Sequence, residues 1–512
     1  MDIGLTLTRN ANRTPDKVAI KFEDNVYTYD QFNKQVNKLA NGLLARGVKK
    51  GDKVAMMMQN TDLFAITFYA LMKAGAVAVP INFRLTAREV AYILNDSDAS
   101  ALFFDSEFGK TINEALQQNS KVNLLISTSH VINNQLTFEE VMLDDDSEPN
   151  VTVDEWDDAE ILYTSGTTGN PKGALFDHHR ILHVGFSSAL LFKLGPEDNL
   201  LHTAPLFHSA QLNLFLISGT FIGCTQVIHR QFDPVHVLKT IEEEKISLFF
   251  GIPTMYNFLL QVPNKEAYDL SSVKRYGYGA APMPVSLIEQ AVQLFGNDQI
   301  YNLCGLTEGG PGGIYLTPEQ HKKYPGAGGT AIFSTEVKVV NELDEEIKPN
   351  EIGEFILRSE MVMKRYYNKP EETKEALRDG WLYTGDLATI NEDGIITLVD
   401  RKKDMIITGG ENVYSTEVEH VLYEYPAILE AAVVGMPDET WGERVAAIVV
   451  PKSGETIDYN DLRSFCENRL AGYKVPRVFF EDTAILRNAS GKILKYKIRE
   501  TLFDKEPIDV KN

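Results

Sequence analysis

The sequence predicts an α/β protein, and three patterns carry that expectation. Short apolar strands alternate with amphipathic helices up to residue 127, the alternation resumes over 161–314, and strands and turns over 328–399 lead into a smaller α/β unit after Arg401-Lys402-Lys403. Short hydrophobic strands separated by helices stack as a parallel sheet covered on both faces.

Taken in order, 18–22 and 26–32 read as a short hairpin. Residues 29–46 place Phe32, Val36, Leu39, Leu43 and Leu44 at helical spacing, and Gly47 stops the helix. Residues 54–58 form a buried strand, 62–74 a second amphipathic helix, and 76–82, 100–105 and 122–127 further strands. The acidic connection 143–160 reads as a solvated surface loop. In the β-rich stretch the strands are 337–343, 353–359 and 394–400; in the last unit they are 431–436 and 444–451, with a helix over 459–470.

At 512 residues, the length suggests about three folding units. An apolar fraction of 44% and a charged fraction of 24% exclude a disordered or collagen-like chain. A net charge of −22 argues against nucleic acid as a partner and against a basic face spread on anionic lipid. Cys224, Cys304 and Cys466 are sparse and odd in number, as in a cytoplasmic protein with reduced thiols. The opening residues lack the basic start and apolar run of a signal peptide. Two uncharged segments, 209–228 and 246–262, are broken by polar residues, Gly and Pro, and read as buried helix and strand, not as membrane spans.

The strongest local signal is 163–173, YTSGTTGNPKG, directly after an apolar strand. Gly166 and Gly169 let backbone N–H groups approach an oxyanion, Thr164, Ser165, Thr167 and Thr168 add hydroxyls, and Lys172 adds a point charge. This suits a polyphosphate, although Gly173 after Lys172 departs from the Walker pattern. Four further groups carry chemistry. Gly279, Ala280 and Ala281 follow a strand and would let a flat ring lie on the backbone. In 301–310, YNLCGLTEGG, Thr307 and Glu308 offer a hydroxyl and a carboxylate suited to a hard divalent cation on a nucleotide. Asp386 lies beside Gly385 in WLYTGDL, where a turn would expose its carboxylate. His208 closes a strand-like apolar segment, PLFHSAQLN.

With these motifs in this order, the chain resembles the adenylate-forming superfamily of acyl-CoA synthetases, nonribosomal-peptide adenylation domains and luciferases, over nearly its whole length. The resemblance implies a large N-terminal domain, 1–402, of two doubly wound α/β sheets plus a β-rich barrel-like subdomain, and a small mobile α+β domain, 403–512, turning on the hinge Lys403. It implies ATP, Mg2+ and CoA as cofactors. The 164–169 loop and Lys172 would hold ATP; Gly279, Ala280, Ala281 and Asn302 would line the nucleotide; Thr307 would touch the α-phosphate and Glu308 bind Mg2+; Asp386 and Arg401 would meet the ribose, with Asn412 a further nucleotide contact. Gly409 and Gly410 would let the CoA arm pass. Lys492, in RNASGKILK, would be the catalytic lysine of adenylation.

His208, Ala210 and Gly305 would line the acyl group. Aryl-acid relatives often carry an aromatic two places after the histidine; Ala210 leaves that space open and favours an aliphatic tail, each buried CH₂ contributing about 0.8 kcal/mol. Cys304 replaces the common aromatic before Gly-x-Thr-Glu. The expectation is an AMP-forming ligase that makes the CoA thioester of a medium- or long-chain fatty acid, most like the long-chain fatty acyl-CoA ligases. The alternatives are an aryl-acid (cinnamate- or benzoate-like) CoA ligase, a stand-alone enzyme loading a carrier protein, and a nonenzymatic ATP-binding regulator. Peripheral contact at the inner membrane surface and a homodimer stay open. Lys172, Arg401, Lys403, Lys474 and Lys492 are expected to converge as a local positive focus in an acidic protein.

Overall fold

Two large sheets interleave along the chain in the computed structural model, which describes residues 1–118, 121–132, 134–164, 171–487, 493–502 and 505–508. An eight-stranded sheet runs Arg365–Tyr366, Lys172–Asp177, Asp158–Thr164, Val77–Pro80, Lys53–Met57, Ala99–Phe104, Leu124–Ser127, Leu136–Thr137. A nine-stranded sheet runs Thr330–Ala331, Gly313–Leu316, Ile300–Gly305, Arg275–Gly279, Leu248–Gly251, Asn199–His202, Thr225–Ile228, Val18–Phe22, Asn25–Thr28. Most pairs are parallel, as the alternation of strands and helices requires. The first hairpin does not join its sequence neighbours. It pairs with the far sheet, Ile20 opposite Gln226, and Tyr29 Oη donates to the Cys224 carbonyl at 2.7 Å beside that edge.

The helices begin where the sequence supplies caps. Thr28 and Gln31 form a reciprocal capping box for Tyr29–Ala45, and Thr61 caps Asp62–Ala74, which Gly75 ends in the left-handed region. Asp62–Ala74 is buried on nearly every face and serves as core, not as an outer layer. Lys73 at its end has a side chain only 4% exposed and pairs with Glu148 at 2.7 Å. The acidic connection is therefore not simply solvated. Glu148 neutralises the buried ammonium, and Asn41 Nδ2 donates to the Ser147 carbonyl at 2.9 Å, stitching the loop to the helix.

Residues 209–228 fold as a π-helical stretch Ala210–Ile217, a helix Ser218–Ile222 and the strand Thr225–Ile228. The Leu214 carbonyl takes the hydroxyls of both Ser188 and Ser218, which competes with ordinary helical pairing. Residues 246–262 form the strand Leu248–Gly251 and the helix Pro253–Gln261. Among the described residues no helix is long and apolar enough to cross a membrane.

Thr335–Val340, Gly353–Ser359, Leu377–Arg378, Trp381–Ile390 and Ile396–Arg401 make a five-stranded antiparallel sheet whose described pairing is open, not closed into a ring. The last unit is a second five-stranded sheet, Glu411–Val413, Ile406–Thr408, Gly442–Pro451 and Ile428–Asp438, with Val478–Glu481 also on Gly442–Pro451. The helices Ser415–Tyr423 and Tyr459–Glu467 and the C-terminal helix Lys495–Leu502 complete it.

Glu160, fully buried on the central strand Asp158–Thr164, has Asn213 Nδ2 on Oε1, while Glu160 Oε2 and Asn213 Oδ1 are both without partners. A protonated carboxyl leaves no buried charge uncompensated, and burial pushes its pKa up to about 8. Between the unfolded value of 4.5 and 8, the folded state holds a proton that the unfolded state has lost. Stability therefore falls as pH rises through that window, by about 1.4 kcal/mol per pH unit, and levels off above it. Glu160→Gln should abolish this slope and be more stable than the parent at pH 8, as read from urea midpoints between pH 5 and 9.

Candidate active site

The structure gathers part of the expected site around one carboxylate oxygen. Glu308 sits in the short turn Thr307–Gly309, directly after the strand Ile300–Gly305. Its Oε1 accepts from Thr164 Oγ1 at 3.1 Å and from Tyr366 Oη at 2.9 Å. Thr164 ends the strand Asp158–Thr164, and Lys172, its register partner, starts the antiparallel return strand, so the two flank the mouth of the glycine loop. Lys172 Nζ stands 5.0 Å from the Tyr366 ring centroid. Ser165, Gly166, Thr167, Thr168 and Gly169 lie outside the described residues, as does Lys492.

Among the described residues Glu308 Oε2 has no hydrogen-bond partner, and no group of three or more His, Cys, Asp or Glu could cage a metal. One oriented carboxylate beside hydroxyls fits a hard cation that takes its remaining ligands from phosphate and water.

Gly279 ends its strand and Asn302 lies within the adjacent parallel one, Tyr278 opposite Asn302 and Gly279 opposite Leu303. A Cβ on Gly279 would meet the Leu303 carbonyl at 2.6 Å, so only glycine fits there. Ala280 follows at φ +67°, a sparsely allowed conformation for a residue with a side chain, and it is exposed; Ala281 is half-buried. Gly305 is exposed, and Thr307 is half-buried. His208 does not close a strand. The strand ends at His202, and Pro205 accepts the His208 N–H at 3.1 Å in a turn. Ala210, which opens the π-helical stretch, donates its N–H to His208 Nδ1 at 3.3 Å and packs on an apolar cluster that includes Phe192, Leu214, Phe215, Phe250 and Leu303.

Asp386 and Arg401 are register partners on neighbouring strands and form an ion pair at 3.1 Å. Lys403 is exposed, two residues on. Gly409 and Gly410 form the two-residue turn of the hairpin Ile406–Thr408/Glu411–Val413, with φ of +60° and +83°. That is the turn type that wants glycine at both positions, and Asn412 stands exposed on its second strand. Among the described residues no hydrogen bond or ion pair ties this hairpin to Asp386 or Glu308. Among the described residues two of the cations expected to converge are already paired. Lys474 is paired with Glu417 at 2.7 Å in the last unit, and Arg401 with Asp386.

Sequence reasoning missed Tyr366. It lies on a strand, Arg365–Tyr366, too short for any periodicity, and the adjacent pair Tyr366-Tyr367 was the only available signal.

Likeness to known proteins gives the class, an acid–thiol ligase that forms AMP. The chain belongs to the AMP-binding enzyme family: the AMP-binding enzyme model matches residues 7–367 and the AMP-binding enzyme C-terminal domain model residues 417–492. It is 37% identical over 497 residues to the feruloyl-CoA synthase of Amycolatopsis sp, covering 97% of this chain and 98% of that one. It is also 37% identical, over 473 residues and 92% of each chain, to the long-chain-fatty-acid–CoA ligase FadD13 of Mycobacterium tuberculosis. Among solved structures, the o-succinylbenzoate CoA synthetase (MenE) of Bacillus subtilis in complex with the acyl-adenylate OSB-AMP superposes with a TM-score of 0.86 at 30% identity, over 99% of both chains. The same protein is also solved with ATP and a magnesium ion.

At the glycine turn, the Cβ of Gly409→Ala would add a 2.8 Å contact with Trp441 Cε3 to the cost of left-handed backbone, whereas Gly410 has open space. Gly410→Ala should lose about 1 kcal/mol and Gly409→Ala visibly more, measured as the shift in urea midpoint.

Proposed function

We propose that this enzyme joins a medium- or long-chain fatty acid to CoA through an acyl-AMP intermediate. ATP, Mg2+ and CoA are the co-reactants of the class. In the first half-reaction the substrate carboxylate attacks the α-phosphorus of ATP, forming the acyl–phosphate bond and expelling pyrophosphate. Thr164 and the glycine loop bind the β- and γ-phosphates, Thr307 orients the α-phosphate, and Glu308 holds the magnesium ion, which when bound neutralises phosphate charge. Gly279, Ala280, Ala281 and Asn302 form the wall for the base, and Asp386 and Arg401 take the ribose. Lys492 meets the charge developing at the bridging oxygen. In the second half-reaction 403–512 turns about Lys403, the Gly409-Gly410 turn admits the thiol arm, sulfur attacks the acyl carbonyl and AMP leaves. We read this as a cytoplasmic enzyme.

The observation that carries the ligase reading is the convergence of Thr164 and Glu308 at the mouth of the glycine loop, beside Lys172. Ala210, set against aromatic and aliphatic side chains with no ring of its own, supports an aliphatic acyl group. A second reading has one specific support: a feruloyl-CoA synthase is 37% identical to this chain, as a fatty-acid ligase is, and over more of its length. That reading is an aryl-acid CoA ligase. Acid-dependent ATP–pyrophosphate exchange across a series from acetate to palmitate, with ferulate alongside, separates the two. We expect the rate to peak at eight carbons or longer; a peak at ferulate selects the aryl reading, and no exchange with any acid ends both. Exchange followed by transfer only to a carrier protein, and not to CoA, would select the loader.

Lys492→Ala should lower pyrophosphate exchange by about a hundredfold or more while leaving thioester formation from supplied acyl-AMP near the parental rate. Equal loss of both would remove Lys492 from the role given to it.

A further inference from the structure

One short segment, 361–367, binds both halves of the cluster around Glu308. Its Met363 N–H donates to the Glu308 carbonyl at 2.8 Å. Its Lys364 and Tyr367 N–H groups donate to the Leu175 and Gly173 carbonyls at 2.8 and 2.7 Å, on the strand that leaves the glycine loop. Between them Tyr366 pairs with Ala174 in the sheet and sends its hydroxyl to Glu308 Oε1 at 2.9 Å. Tyr366 is only 7% exposed.

Two hydroxyl donors on one carboxylate oxygen fix both the position and the rotation of the group. Thr164 and Tyr366 occupy Oε1, and Oε2 is left without a partner among the described residues. The face of the same ring carries Lys172 at 5.0 Å. Tyr366 thus touches the carboxylate and the cation at once while standing behind both of them.

We propose that Tyr366 is a positioning residue that aims Glu308 Oε2 at the metal–nucleotide and holds Lys172 on the face of its ring. This rests on the ligase reading above, through the metal role of Glu308. Removing the partner of a metal-ligating group costs roughly 10–100-fold in metal affinity. Because Tyr366 acts through Glu308, its loss should matter only while Glu308 is a carboxylate.

The test is binding, not turnover. Mn2+ binding to the full-length protein in the presence of ATP, without acid or CoA, is followed by electron paramagnetic resonance for the parent, Tyr366→Phe, Glu308→Gln and the double variant. Tyr366→Phe keeps the ring under Lys172 and should keep the parental melting temperature. We expect it to weaken Mn2+ binding about tenfold, Glu308→Gln to weaken it further, and the double variant to match Glu308→Gln alone. Unchanged Mn2+ affinity in Tyr366→Phe, or losses that multiply in the double variant, would overturn the positioning role. If Glu308→Gln itself binds Mn2+ like the parent, the metal role of Glu308 fails, and the proposal with it. Should Tyr366→Phe melt early, the same cycle is read at a temperature where it is fully folded, with multiplying losses again the refuting result.

Discussion

The pairing of Arg365–Tyr366 with the strand Lys172–Asp177 is the constraint on which the site is built. It is an edge pairing of only two residues, and such a pairing is marginal in isolation. Side chains reinforce it from below. Tyr163 Oη and Lys369 Nζ both reach Asp96, at 2.8 and 2.6 Å, and Tyr367 Oη reaches Asp98 at 3.0 Å. The turn after the helix Ala87–Asp96 therefore acts as a bolt holding the strand that enters the glycine loop and the segment that passes behind Glu308. Distances within the Glu308 cluster are inherited from this arrangement, since carboxylate, threonine and tyrosine come from three separate parts of the chain.

An acidic protein that handles anions must keep its cations where they count. Most lysines and arginines near the junction are already committed, Arg401 to Asp386, Lys402 to Glu354 at 3.3 Å and Lys474 to Glu417. Lys172 differs, being held against an aromatic face and not a carboxylate. A quadrupole attracts the ammonium without neutralising it, so its charge remains available to a phosphate. Exposed ion pairs such as Lys402–Glu354 contribute little to stability and exchange readily when an anion arrives.

Local signals in the sequence were read well and long-range ones poorly. Asp62–Ala74 has the expected bounds because its cap, its apolar run and its terminal glycine are contiguous. Thr164, Lys172 and Glu308 were legible because glycines and hydroxyls cluster within single segments. The swap of the first hairpin into the far sheet was not, since parallel pairing leaves no mark on either strand alone. Tyr366 was hidden for the same reason: its significance lies in two partners at large sequence separation. Gly409 and Gly410 read in the sequence as a path for the CoA arm; their place in a hairpin turn also requires both positive φ angles, so those angles by themselves do not mark a ligand.

The junction between the large body and the last unit shows what a turn about Lys403 would have to break. Asp400, on the last strand before the pivot, accepts both the N–H and the hydroxyl of Ser415, and Thr416 Oγ1 donates to the Val399 carbonyl. These bonds cross the pivot and cap the helix Ser415–Tyr423 with a residue from outside its own unit. By contrast, Lys495–Glu419 and Arg499–Asp404, at 2.8 and 2.9 Å, lie wholly beyond the pivot and would travel with it. Lys495 also donates to Ser415 Oγ and would keep that contact if Asp400 withdrew, whereas the Ser415 N–H would lose its acceptor. A rotation organised this way would give up hydrogen bonds at the strand–helix junction while the ion pairs of the helix Lys495–Leu502 stayed intact.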